Sequence, residues 1–146
     1  MMILLVCSLL TDNFGFIKAG RRYGIDPLLL EAISIVESNM RPVIRINKNG
    51  TADYGHTQIN TLWIEKLNLN RARLLSDPTY ATFATAYILS KLFKKYGYSW
   101  DTVGRYHSMN PNLRKKYALK VMKTYKKLRS KYGNSSELKI VEGSIR

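Results

Sequence analysis

The sequence predicts an all-α, or mainly α, domain with room for a small hairpin between residues 41 and 56. Three observations carry this. Apolar residues recur at the three-and-four spacing of helices between well-marked starts and stops. No stretch alternates apolar and polar residues for the length of an ordinary strand. The 146 residues, 45% of them hydrophobic, suit one domain with one core.

Taken in order, Met1 to Leu10 is an apolar run of ten, too short to cross a bilayer. It resembles the core of a secretion signal, although no Lys or Arg precedes it and no cleavage site is clear. Residues 1–13 are therefore expected to be a signal peptide or a buried N-terminal segment. Phe16 to Tyr23 reads as a short helix stopped by Gly24. Asp26 can cap the next helix and Pro27 suits its first position, with Leu29, Ala32, Ile33 and Val36 on the buried face as far as Asn39. Arg41 to Gly55 holds Pro42, Asn47, Asn49 and Gly50 and reads as a loop or small hairpin. A third helix is expected over roughly Gln58 to Leu67, with Ile59, Leu62, Trp63 and Leu67 inward. Asp77-Pro78 starts a long helix whose broad apolar face ends at Gly97. Ser99 caps a short helix reaching Tyr106, and Asn110-Pro111 opens the last, with Leu113, Tyr117, Val121, Tyr125 and Leu128 inward. The domain is expected over residues 14–132, followed by a loose tail at 133–146.

Net charge is +14, which favours acidic partners: nucleic acid, anionic lipid or an anionic wall polymer. Between Lys91 and Lys131 stand thirteen Lys or Arg and one acid, Asp101. The single Cys7 excludes an internal disulfide, and one Cys with two His is too few for a Cys/His metal site. His107-Ser108 lacks the strand-turn-helix Gly-x-Ser-x-Gly of a nucleophile elbow. The tyrosines and lysines of the last helix could serve a nucleic-acid binder, but a core tyrosine row with a solvated lysine face explains them more simply.

Only ten carboxylates exist, so elimination is practical. Asp26 and Asp77 sit where capping explains them; Glu31 and Asp101 lie in first turns, where the helix dipole favours an anion. Glu65 falls off an apolar stripe, and Asp12, Glu137 and Glu142 are in terminal segments. Glu37 and Asp53 remain. Glu37 stands at the border of a buried face, in a last turn that prefers cations. Burial and dipole both push its pKa up, as a general acid requires. The plainer alternatives are a Glu37–Arg41 pair at i+4 and an Asp53 that only closes a turn.

The ordered set Glu37-Ser38, Gly55-x-x-Gln58-Ile59-Asn60 and a later Tyr106 resembles the soluble lytic transglycosylases. The closest likeness is to the small members that accompany type III or type IV secretion and conjugation. Tyr23-Gly24-Ile25, Asn47-x-Asn49-Gly50-Thr51-x-Asp53-x-Gly55 and Tyr96-Gly97-Tyr98 also look like that subgroup, and the likeness runs from about Phe14 to Tyr125.

The resemblance implies a goose-type-lysozyme-like α fold. It also implies cleavage of peptidoglycan between N-acetylmuramic acid and N-acetylglucosamine, with closure of a 1,6-anhydro ring and no added water. Glu37 would be acid and then base, and Tyr106 would hydrogen-bond it; apart from the resemblance, Asp53 is a candidate auxiliary that could stabilise positive charge on the sugar or position a water. Ser38, His56, Gln58, Asn60 and His107 are expected along the sugar, with no cofactor and no metal. Implied partners are glycan strands and secretion or conjugation machinery, in the periplasm or cell envelope, without nucleic acid or a membrane span. Two departures stand out: His56-Thr57 where the family usually has two apolar residues, and Arg105-Tyr106-His107 in place of Ala-Tyr-Asn. The positions matching a cysteine pair of small secreted members are Gly15 and Thr79. The two histidines suggest pH-modulated sugar binding. A lysozyme-like hydrolase and a wall-binding scaffold without turnover are the alternatives.

Overall fold

In the computed structural model, residues 12–132 are described. They form seven helices and one three-stranded sheet: α1 (Phe16–Tyr23), α2 (Pro27–Ser38), β1 (Ile44–Ile46), β2 (Ala52–Tyr54), β3 (Ile59–Asn60), α3 (Thr61–Leu67), α4 (Arg71–Ser76), α5 (Pro78–Tyr96), α6 (Trp100–Arg105) and α7 (Pro111–Tyr132). The expectations for the apolar N-terminal run and for the tail lie outside the described residues.

Local chemistry sets the boundaries. Asp26 Oδ1 accepts from Leu28 N at 2.9 Å, Asp77 Oδ1 from Tyr80 N at 3.1 Å and Ser99 Oγ from Thr102 N at 3.1 Å, each holding a first-turn amide that no helical carbonyl reaches. Gly24 and Asn39 end α1 and α2 in the left-handed region.

α5 runs through the middle of the core, with Ala81, Ala86, Ile88 and Leu89 fully buried. It packs on α1, α2, α4 and α6, while α7 lies across α2 and α6. Close approach of α6 to α7 needs Gly104: a β-carbon there would collide with the Arg114 carbonyl oxygen. The paired positions 15 and 79 also touch, since a β-carbon on Gly15 would sit 3.3 Å from Thr79 Cβ.

Three details depart from the sequence reading. The helix expected from Gln58 starts at Thr61. Gln58 holds φ 54°, and extended Asn60 caps with its side chain on Leu62 N at 3.0 Å. Residues 59–60 instead pair with β2, giving an antiparallel sheet in the order β1-β2-β3. The shifted start turns Leu62 outward and Ile64 inward. Leu113 is exposed because the first turn of α7 overhangs the core. α4 went unpredicted: it buries only Leu74, so it shows no periodicity.

Candidate active site

Glu37 sits in the last turn of α2, half-buried, on a helix whose preceding turns are locked in the core by Leu29, Leu30 and Ile33. Burial is the largest influence on its carboxyl and lifts its pKa to about 7, with the negative charge of Asp53 adding to the rise. The Tyr117 hydroxyl, Arg45 and Lys120 pull the other way and lose. The expected Arg41 alternative does not form: Arg41 Nε donates to the Ser38 carbonyl at 3.0 Å. Arg45 reaches back from β1, and its Nη1 donates to the Glu37 backbone carbonyl at 2.6 Å.

Two tyrosines stand behind the acid, and they exchange the roles the sequence suggested. The Tyr106 hydroxyl donates to the Thr57 carbonyl at 2.8 Å and lies 3.3 Å from Thr85 Oγ1, so it is not the partner of Glu37. Burial, and then the Glu37 charge, hold its proton on firmly. Tyr117, read from sequence as core alone, is the tyrosine that faces the acid. Its buried hydroxyl stabilises the Glu37 carboxylate but falls short of a complete hydrogen bond. His107 stacks flat on the Tyr117 ring, with centroids 4.7 Å apart and planes 6° apart. His107 is exposed, and its pKa is lowered first by partial burial and also by Lys120, against an opposing pull from Asp53.

The sheet supplies Asp53 and Asn60. Register places Asp53 across from Asn60. Asp53 Oδ1 accepts from Asn60 Nδ2 at 2.8 Å and Oδ2 from Asn47 Nδ2 at 3.0 Å. The carboxylate thus braces the hairpin and still acts electrostatically on Glu37 and His107. Asn60 divides its amide between this brace and the cap of α3.

Three residues expected along the sugar are buried and bonded within the protein. Ser38 is 2% exposed, and its hydroxyl donates to the His56 carbonyl at 2.7 Å while accepting from Arg41 N at 2.9 Å, which sews the loop to the end of α2. Gln58 is also buried, and its Nε2 donates at 2.9 Å to both the Val43 and the Gly55 carbonyls. Its Oε1 is a buried acceptor with no protein partner among the described residues. His56 is 1% exposed, edge-on to Phe14 and Phe16. Its Nδ1 meets Ser34 Oγ at 2.7 Å, and its Nε2 lies 3.0 Å from the Pro78 carbonyl and 3.1 Å from Thr82 Oγ1. A side chain so enclosed cannot modulate sugar binding by direct contact, so that expectation is corrected for His56.

The site therefore gathers Glu37, Tyr106, Tyr117, Asp53 and His107, with Arg45 and Lys120 as the nearby cations. It is a half-buried, readily protonated carboxyl at the end of a core helix, facing a short antiparallel sheet. That arrangement defines the protein as a lysozyme-like domain built around one acid. The transglycosylase SLT domain model matches residues 14–130, and the chain belongs to that family. It is 36% identical over 132 residues to the invasion protein IagB of Salmonella typhimurium, covering 85% of this chain and 81% of that one. It is 35% identical over 107 residues to the protein IpgF of Shigella flexneri, covering 70% of each. It is 36% identical over 134 residues to an X polypeptide of Escherichia coli, covering 84% and 78% respectively.

Proposed function

We propose that the chain is a peptidoglycan lytic transglycosylase that cuts the β-1,4 bond between N-acetylmuramic acid and N-acetylglucosamine. The observation that carries this is the Glu37 carboxyl, lifted by burial to a pKa of about 7 and set against Tyr117. A carboxyl half-protonated near neutrality can give a proton and take one back in the same turnover.

In the first step the Glu37 carboxyl protonates the bridging oxygen, and the bond from that oxygen to C1 of the muramyl ring breaks. The N-acetylglucosamine end leaves as an alcohol. In the second step the C6 hydroxyl of the muramyl ring attacks C1 and its proton passes to the Glu37 carboxylate. The 1,6-anhydro ring closes, the acid is restored and no water is consumed. Asp53 faces the same space and offsets the positive charge that develops on the sugar. Among the described residues no helix is long and apolar enough to cross a membrane. Peptidoglycan as the substrate supports a periplasmic reaction. The name invasion protein, borne by a relative, fits local opening of the wall for a secretion or conjugation apparatus.

Mass spectrometry of fragments released from purified wall tests this. Ends one water lighter than hydrolysed ends are expected. Glu37→Gln, which keeps shape and removes the proton donor, should lower release by at least about a hundredfold. Ends carrying added water would make the chain a lysozyme-like hydrolase. No release by the wild type, with binding intact, would make it a wall-binding scaffold.

A further inference from the structure

A groove of about 280 Å³ lies between α3, α5 and the segment after α6. Trp63, Leu92, Tyr96 and Met109 are among the residues lining it, together with Lys66, Lys91 and Lys95. Chain connectivity keeps two of these within a few residues' reach of the candidate site. Met109 follows two residues after His107, which feels the Asp53 charge, and Trp63 follows three after Asn60, which is bonded to Asp53.

The cations of this groove are held in an unusual way. Lys66 Nζ lies 5.0 Å from the Trp63 ring, Lys91 Nζ 5.1 Å from Tyr87 and Lys95 Nζ 5.2 Å from Tyr96. Among the described residues none of the three is ion-paired to a carboxylate. The acids that could compete are engaged elsewhere: Glu65 with Arg71, and Asp101 with Arg105 and Arg114. Aromatic faces fix three solvent-exposed ammonium groups around an apolar floor without neutralising them. Such a surface complements a short, extended, carboxylate-rich chain with small apolar side groups.

We infer that this groove binds the peptide stems of the glycan substrate, Lys66, Lys91 and Lys95 reading stem carboxylates while Trp63 packs against stem or sugar; the Tyr96 ring is itself held under the Arg105 guanidinium at 3.9 Å. The inference rests on the wall-polymer reading above and makes stem-bearing strands, rather than naked glycan, the substrate class. An exposed ion pair is worth a factor of about two to five, so three acting together give roughly tenfold or more.

The test uses the full-length Glu37→Gln chain, which binds without cutting, and two probes: soluble glycan strands with their stems, and the same strands stripped by an amidase. Stripped strands keep one lactyl carboxylate per muramic acid, so the comparison isolates the stem. The stem-bearing probe should bind about tenfold tighter, and Lys66→Gln/Lys91→Gln/Lys95→Gln should close that gap to within about twofold. Replacing the same three by Arg should keep it. Lys123→Gln/Lys126→Gln/Lys127→Gln, which removes equal charge from α7, should keep it too. Equal binding of both probes by the parent chain overturns the inference, as does a gap that survives the groove variant or is lost equally in the α7 variant. Failure to bind either probe would instead refute the wall-polymer reading.

Discussion

Glu37 carries its proton because the end of a core helix is a poor place for a negative charge, and that fact has a direction in pH. With a carboxyl pKa of about 7, half the molecules hold the Glu37 proton at neutrality. The rate in kcat/KM should therefore be level below that value and fall about tenfold per pH unit above it. Tyr117 opposes the rise, since its hydroxyl stabilises the carboxylate. Tyr117→Phe removes that support, raises the Glu37 pKa further and moves the falling limb to higher pH. Because the hydroxyl makes no complete hydrogen bond, stability should change by only about 1 kcal/mol or less. A pH–rate profile of the two proteins, with thermal unfolding alongside, checks both statements. A limb shifted to lower pH would mean that the hydroxyl supports the protonated acid instead.

At the scale of elements, the helix order was legible because caps and stops are local chemistry. Asp26-Pro27, Asp77-Pro78 and Ser99 act within three residues of themselves, and a single sequence contains that information. The third strand and α4 were not legible, since both depend on what packs against them. Of the site, Glu37 and Asp53 emerged by elimination among few carboxylates. Tyr117 did not, because a helical tyrosine that faces an acid is spaced like one that faces leucine. His56 shows the same limit: its altered motif position suggested the cleft, whereas Ser34 from α2 and Thr82 from α5 close around it in the core. Those partners make the departure from an apolar pair a satisfied network rather than a defect. His56→Leu should strand the Ser34 hydroxyl, while Thr82 keeps its bond to the Pro78 carbonyl, and cost about 1–3 kcal/mol, part of which returns when Ser34→Ala is added. Burial lowers the His56 pKa below its ordinary 6.5, so folding favours the neutral ring. Its contribution is complete above about pH 6.5 and is lost as pH falls, because the unfolded chain then binds a proton that the fold resists. Denaturant unfolding from pH 7.5 to 5 should show this loss in the wild type and a flatter curve in His56→Leu.

Across the whole molecule, a net charge of +14 is weighted toward the stretch from Lys91 to Lys131, which holds thirteen Lys or Arg and one acid. α7 packs against α2 and delivers Tyr117 to Glu37 with one face. Its other face exposes Lys115, Lys116, Lys120, Lys123, Lys126, Lys127 and Lys131. One helix thus lines the candidate site and carries a basic ridge; on the proposed function, that ridge would attract a polyanionic substrate toward the acid. Attraction of this kind is screened: the range of a surface charge shrinks from about 10 Å at 0.1 M salt to about 3 Å at 1 M. On the proposed function, packing of Trp63 on an uncharged sugar would not be screened in the same way. Co-sedimentation of the Glu37→Gln chain with purified wall should therefore weaken by at least about tenfold between 0.1 and 1 M salt. Its association with particles of chitin, a neutral N-acetylglucosamine polymer, should change by less than about twofold. A wall affinity indifferent to salt would mean that the charge serves some other partner. An equal salt loss on chitin would mean that salt acts on the fold rather than on the encounter.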